Sequence, residues 1–279
     1  MKISEIQDIN RQTLKIDKII TATNANPNYL FFGSLMSKAW LKIAGIKPVV
    51  AYIKSNPDID YLATEYLKER ADVYVFDRLS IDIGIQSKIT RIFLASEFTE
   101  TNNMIADIDM IPLDPRFLAS FERAPNDHLV QFGGDHPSFQ KNPDIGKWPM
   151  HGTAACGSVF KEIVNPQGLN YQDLLSSWTG FPEDPRSNVF NPFHGFSDES
   201  LLKCLFDKWP KKEEKHTKIN RTEVGDGFDP EPVYGRLCRS KHFDISDVDL
   251  SKHYECHGLR PYHMNTEWYQ PIEEFIKNI

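Results

Sequence analysis

No stretch of the chain approaches the roughly 18 uncharged apolar residues that a membrane-spanning helix requires. The N-terminal segment MKISEIQDINRQTLKIDK also lacks the apolar core and small-residue cleavage site of a secretory signal, so a cytoplasmic chain without an integral membrane segment is expected. Basic residues are not in excess. Lys and Arg number 32 against 39 Asp and Glu, a net charge of −7. That balance excludes a broad phosphate-backbone footprint, and with it general nucleic-acid binding, while leaving room for a local basic pocket. The four cysteines, Cys156, Cys204, Cys238 and Cys256, form no CxxC pair, which removes the zinc knuckle and the disulfide framework and leaves reduced thiols. Repeats and low-complexity tracts are absent. What remains is ordinary: 40% hydrophobic and 25% charged residues, close to the average soluble globular chain.

At roughly 150 residues per domain, 279 residues would make about two, yet a single α/β domain of this size is common. From Lys18 to Asp109, short β-branched runs alternate with longer helical ones, the pattern of βαβ units and a mostly parallel sheet. Strands are expected at 16–23 (IDKIITAT), 48–53 (PVVAYI), 72–76 (DVYVF) and 102–111 (NNMIADIDMI). A helix over 29–43 places Leu35, Ala39 and Ile43 on one stripe. Another lies around 60–70. A third, about 84–98, spaces Ile85, Ile89, Ile92 and Phe93 as one buried face. Parallel strands joined by helices bind ligands at their C-terminal edges, so the segments after strands one, three and four should share a crevice.

Beyond Asp114 the order loosens. Strands are expected at 128–132 and 149–156, with a short helix after Gly157. The Pro- and aromatic-rich stretch 179–196 reads as a long functional loop, and 211–232, charged and poor in large apolar residues, as a mobile one. Trp268, Ile272, Phe275, Ile276 and Ile279 mark a terminal amphipathic helix.

Asp107 and Asp109 flank Ile108 at the end of the expected fourth strand. Residues two apart in a strand point the same way, so both carboxylates would converge at the crevice. Such a pair suits a hard divalent cation that also takes oxygens from a diphosphate. Its competing reading is a solvated strand end, opposed by the apolar flanks Met104, Ile105, Met110 and Ile111.

The run from IITATN through the helix GIQSKITRIFLAS to ADIDMIPL resembles metal-dependent GT-A glycosyltransferases that use nucleotide sugars, clearly over 16–125 and more loosely to the C-terminus. The resemblance implies one Rossmann-like α/β domain over 1–279, with a nucleotide-sugar-binding half at 16–125 and an acceptor-binding half at 126–279. It implies Asp109 as a direct ligand of Mn²⁺ or Mg²⁺, with Asp107 nearer the ribose or metal-bound water and His257 completing the metal shell. Thr21, Ala22 and Thr23 would cradle base and ribose. Arg91, with its neighbours Lys88 and Gln86, would meet the diphosphate or donor sugar, and Arg260 would be a further diphosphate contact; Ile108 belongs to the same donor-binding stretch. Asp198, opening a helix with Leu201, Leu202, Leu205 and Phe206 on its buried face, would be the base of an inverting transfer, with Glu199, Asp184 and Glu183 behind it. Helix capping is the competing role for Asp198. Trp148, His151, Trp178, Phe193 and His194 are candidate acceptor-stacking rings, with core packing as the alternative.

The function this implies is transfer of a sugar from a nucleotide diphosphate sugar, by default a UDP-sugar, to a hydroxyl of a glycan or similar acceptor. Two alternatives stay open. A sugar-phosphate nucleotidyltransferase would usually carry a glycine-rich basic loop after the first strand, where TATNANPNYL has no Gly, Lys or Arg. A carbohydrate-binding or scaffold protein with a decayed site would hold glycan without a metal.

Overall fold

The computed structural model describes residues 13–133, 148–179, 198–220, 236–238, 245–260 and 262–279. The chain begins with β1 (Lys18–Asn24), a short helical turn α1 (Pro27–Leu30) and α2 (Phe32–Ala44), then β2 (Val49–Ile53), α3 (Pro57–Lys68), β3 (Asp72–Phe76), α4 (Ile83–Glu97) and β4 (Asn102–Ile105). Caps explain where the helices start. Asn26 and Asn56 each accept a hydrogen bond from the backbone two residues on, with proline following at the first helical position. Asp82 accepts from the Ile85 amide and opens α4. The Asn26 and Asn56 caps start α1 and α3 ahead of the expected 29 and 60, and the single helix expected over 29–43 is divided at Phe31 into α1 and α2.

The remaining elements are β5 (Met110–Pro112), α5 (Arg116–Ala119), β6 (Leu129–Phe132), β7 (Thr153–Cys156), α6 (Gly157–Val164), α7 (Tyr171–Thr179), α8 (Asp198–Asp207), β8 (His216–Ile219), β9 (Arg236–Cys238), β10 (Glu255–His257) and α9 (Thr266–Asn278). Seven strands form the main sheet in the order β3-β2-β1-β4-β7-β6-β8. Only β7 runs against the others. A second sheet pairs β10 with β5 and β9. Since the chain winds outward from β1 to β3 and then returns to β4 on the other side of β1, the C-terminal ends of β1 and β4 open at the switch point of strand order.

One core, with Trp40, Phe117, Phe132, Tyr254 and Tyr269, lies on the face covered by α2 and α9. A second, with Ile89, Ile92, Trp148, Phe160 and Leu202, lies under α4, α6 and α8. Three expectations are corrected here. The strand expected over 102–111 ends at Ile105, and its second half becomes β5 of the other sheet. Part of the supposedly mobile 211–232 stretch is β8, which pairs in parallel with β6 while Lys215 meets Asp127 at 2.9 Å; residues 221–232 lie outside the described residues, as do 180–196. On α9 the buried face is Tyr269, Ile272 and Ile276, whereas Ile279 is 55% exposed.

His216 of β8 packs between Phe206 and Trp148, with ring centroids at 4.8 and 5.3 Å. Burial among these rings pushes its imidazole down to about 4. An unfolded histidine titrates near 6.5, so between about pH 6.5 and 4 the unfolded chain binds the extra proton and stability falls as pH falls. Melting curves over this window should flatten in His216→Phe. An unchanged slope would show that another group carries the acid sensitivity.

Candidate active site

A cleft of about 760 Å³ opens where β1 and β4 end, within the range of small-molecule sites. Ala22, Thr23 and Asn24 come from β1, and Tyr29 from α1. Ser87, Lys88 and Arg91 come from α4, Asp107, Ile108 and Asp109 follow β4, Asp198 and Glu199 open α8, and His257 and Arg260 close the cleft from β10 and beyond. Asp107 to Asp109 form a turn, with the Met110 amide bonded to the Asp107 carbonyl at 3.1 Å, so strand alternation is not what brings the two acids together. The reason is topological. The chain leaves one sheet at Ile105 and enters the other at Met110.

Each acid meets a guanidinium. Arg91, 7% exposed, donates from Nη1 to Asp107 Oδ1 at 2.5 Å and to the Ala106 carbonyl at 2.9 Å, and from Nε to Asp198 Oδ2 at 3.0 Å; its Nη2 also contacts Asp198 Oδ2. Partial burial would raise the Asp107 carboxyl, but the Arg91 guanidinium outweighs it and holds the group well below the usual carboxylate range. Burial disfavours charge on Arg91 in turn, and Asp198 and Asp107 overcome it. Asp109, 3% exposed, accepts from Arg260 Nε at 2.6 Å and lies 3.2 Å from His257 Nε2. Its carboxyl is also lowered: burial opposes charge, while His257 and Arg260 favour it. Arg260 additionally lies over the Tyr29 ring, 4.5 Å from the centroid. Gly258 allows this approach. Its amide bonds the Asp109 carbonyl at 3.1 Å, and a Cβ there would collide with the Tyr269 hydroxyl.

The other expected residues divide. Lys88 is an exposed cation on the cleft wall that makes no ion pair among the described residues. Thr21 lies one step too early on β1, fully buried outside the cleft. Gln86 is also fully buried and pins the loop after β3: it accepts from the Leu79 amide at 2.9 Å and donates to the Asp77 carbonyl at 2.8 Å. Trp148 and Trp178 are core residues, 1% and 3% exposed, and His151 is buried beside Glu255 rather than presented to an acceptor. Phe193, His194, Asp184 and Glu183 lie outside the described residues. Sequence reasoning missed Asn24, Ser87 and Tyr29. Asn24 donates to Ser87 Oγ at 3.0 Å and accepts from the Asn26 amide at 2.8 Å, shaping the end of β1. A polar run after a buried strand was the available signal.

In kind, two carboxylates and an imidazole suit a hard divalent cation. In arrangement, no group of three or more His, Cys, Asp or Glu side chains among the described residues is disposed to hold one. Arg260 already occupies the Asp109 oxygen nearest His257.

Backbone comparison places the chain beside an active-site mutant of LgtC, with a TM-score of 0.52 and 11% identity over 94% of this chain and 95% of that one. The fold is the GT-A fold. The apo form of the glycosyltransferase GlyE from Streptococcus pneumoniae TIGR4 has a TM-score of 0.50 and 14% identity over 95% of this chain, which spans 62% of that longer one. No family model and no curated protein matches the sequence. At these identities the likeness shows the fold alone.

Proposed function

We propose that the protein transfers a sugar from a nucleotide diphosphate sugar to a hydroxyl acceptor. The observation that carries this reading is the convergence of Asp107, Asp109, His257, Arg260, Arg91 and Lys88 on one cleft at the switch point of a GT-A sheet. Anionic donors need compensating charge, and cations set among fixed carboxylates supply it without reorganisation when the diphosphate departs. Lys88 is assigned to the diphosphate, and Thr23, Asn24 and Tyr29 to the nucleoside.

Asp107, Asp109 and His257 would hold Mn²⁺ or Mg²⁺, with Arg260 yielding its place at Asp109. Such a cation neutralises charge on a leaving diphosphate. The chain's own part is to orient the donor and keep the two acids apart through Arg91 and Arg260. Asp198 lines the cleft with Oδ2 bound to Arg91. Taking the acceptor's proton would require that grip to loosen. A carboxylate so anchored favours stabilising positive charge at the anomeric carbon. The anomeric configuration of the product, read by NMR, decides its role: inversion makes Asp198 the base, retention leaves it the electrostatic part.

The direct test is a thermal-shift panel of UDP, GDP, CMP and TDP and their sugar conjugates, each with and without Mn²⁺. One nucleotide at about 100 times its Kd should stabilise the fold by about 2.7 kcal/mol. That corresponds to roughly 5 °C for a chain of this size. Lys88→Ala should weaken that nucleotide about 10-fold, the loss of one charge-assisted contact in a partly solvated site. Absence of any shift at millimolar ligand would move the assignment to a glycan-binding protein.

A further inference from the structure

We propose that His151 and Glu255 are a positioning pair that holds the Asp107–Asp109 turn in its binding shape, an inference that rests on the donor-site reading above. The Asp107 amide is where the need arises. The β4 ladder ends at Ile105, and the Ala106 amide makes one more bond to the Ile20 carbonyl at 2.9 Å. With the next residue the chain turns away from β1, and a buried amide without an acceptor costs about as much as a lost hydrogen bond. His151 supplies the acceptor: its Nδ1 lies 3.2 Å from the Asp107 nitrogen.

That bond fixes the tautomer. An Nδ1 that accepts carries no proton, so the ring proton is on Nε2, which donates to Glu255 Oε2. The imidazole is 6% exposed and the carboxylate 1%. The ring also lies nearly parallel to Phe117, with centroids 5.9 Å apart and an interplanar angle of 6°. It is thus held at both nitrogens and across one face.

β10 connects this pair to the second acid. Glu255 and His257 are two apart on one strand and therefore share a face. His257 reaches Asp109 directly at 3.2 Å, and Glu255 reaches Asp107 through His151. One strand face so sets the relative placement of both carboxylates. An apolar residue at 151 could pack against Phe117 equally well. It could not accept from the Asp107 amide, and it would take the His151 bond away from the buried Glu255 carboxylate.

The test uses the ligand-free full chain and three variants. His151→Leu removes both bonds, His151→Asn keeps an acceptor near the Nδ1 position, and Glu255→Gln keeps an acceptor for Nε2 without the charge. Exchange of the Asp107 amide should quicken at least about 10-fold in His151→Leu and less in Glu255→Gln, with His151→Asn recovering part of the protection. Mn²⁺ affinity, followed by electron paramagnetic resonance, should fall about 10- to 100-fold in the same order, the usual effect of losing a partner that orients a ligand. Unchanged exchange and unchanged Mn²⁺ affinity in folded His151→Leu, whatever its melting temperature, would overturn the assignment. If that variant does not fold, Glu255→Gln decides by the same two readouts. Wild-type protein that binds neither Mn²⁺ nor any nucleotide sugar would remove the proposed function instead, and amide exchange alone would then decide the positioning role.

Discussion

Replacing Asp109 by Asn should lower transfer about 1,000-fold, the several kcal/mol expected when charge stabilisation at a leaving group is lost. Asn keeps the volume and one acceptor for Arg260 but removes the charge that faces His257 and Arg260. The fold should not be untouched, because Asp109 is almost fully buried. Its partners are partly solvated, with side-chain exposures of 20% for His257 and 28% for Arg260. Water can therefore take over much of their solvation, and the stability loss should stay at about 1–2 kcal/mol, below the figure for a fully buried pair. Steady-state turnover beside a melting curve separates the two effects. Wild-type turnover in this variant would place the reaction outside the cleft.

What the sequence made legible follows from what is local. β3 occupies 72–76 as expected, and the stripes Leu35-Ala39-Ile43 and Ile85-Ile89-Ile92-Phe93 are buried except for half-buried Ile85, because a helical or strand period is carried by neighbours in the chain. The cleft was also placed correctly, since strand order in an α/β sheet dictates where its edge opens. The β4–β5 break was not legible. NNMIADIDMI is apolar on both sides of its acids, and nothing within ten residues reveals that its two halves pair in different sheets. Thr21 and Gln86 misled for a related reason: their residue types suit a polar site, and only tertiary depth shows that both are covered. Arg91 illustrates the limit best. The GT-A resemblance implied a donor contact for it, but its partners Asp107 and Asp198 lie 16 and 107 positions away, a separation that no periodicity carries.

That long-range grip makes Arg91→Met the variant with the largest expected cost in stability. The substitution keeps much of the stem's packing and removes the cation from Asp198, whose side chain is only 4% exposed, and the donor from the Ala106 carbonyl. Asp107, at 37% exposed, can return to water and contributes less. Stranding one member of a buried pair costs about 3–5 kcal/mol. For a chain of this length that is a fall of roughly 5–9 °C in Tm. Arg91→Lys should recover little, because one ammonium cannot reproduce the planar fork that serves two carboxylates and a carbonyl. The double variant Arg91→Met, Asp198→Leu should regain most of the lost stability, since an apolar pair of similar volume replaces a buried ion pair at little cost. It should not regain transfer, because both side chains line the cleft. A double variant as unstable as Arg91→Met alone would show that the cost arises elsewhere, at the Ala106 carbonyl or Asp107. Recovered stability without recovered transfer would separate the two roles: the pair ties α8 to α4, and its charges serve the donor.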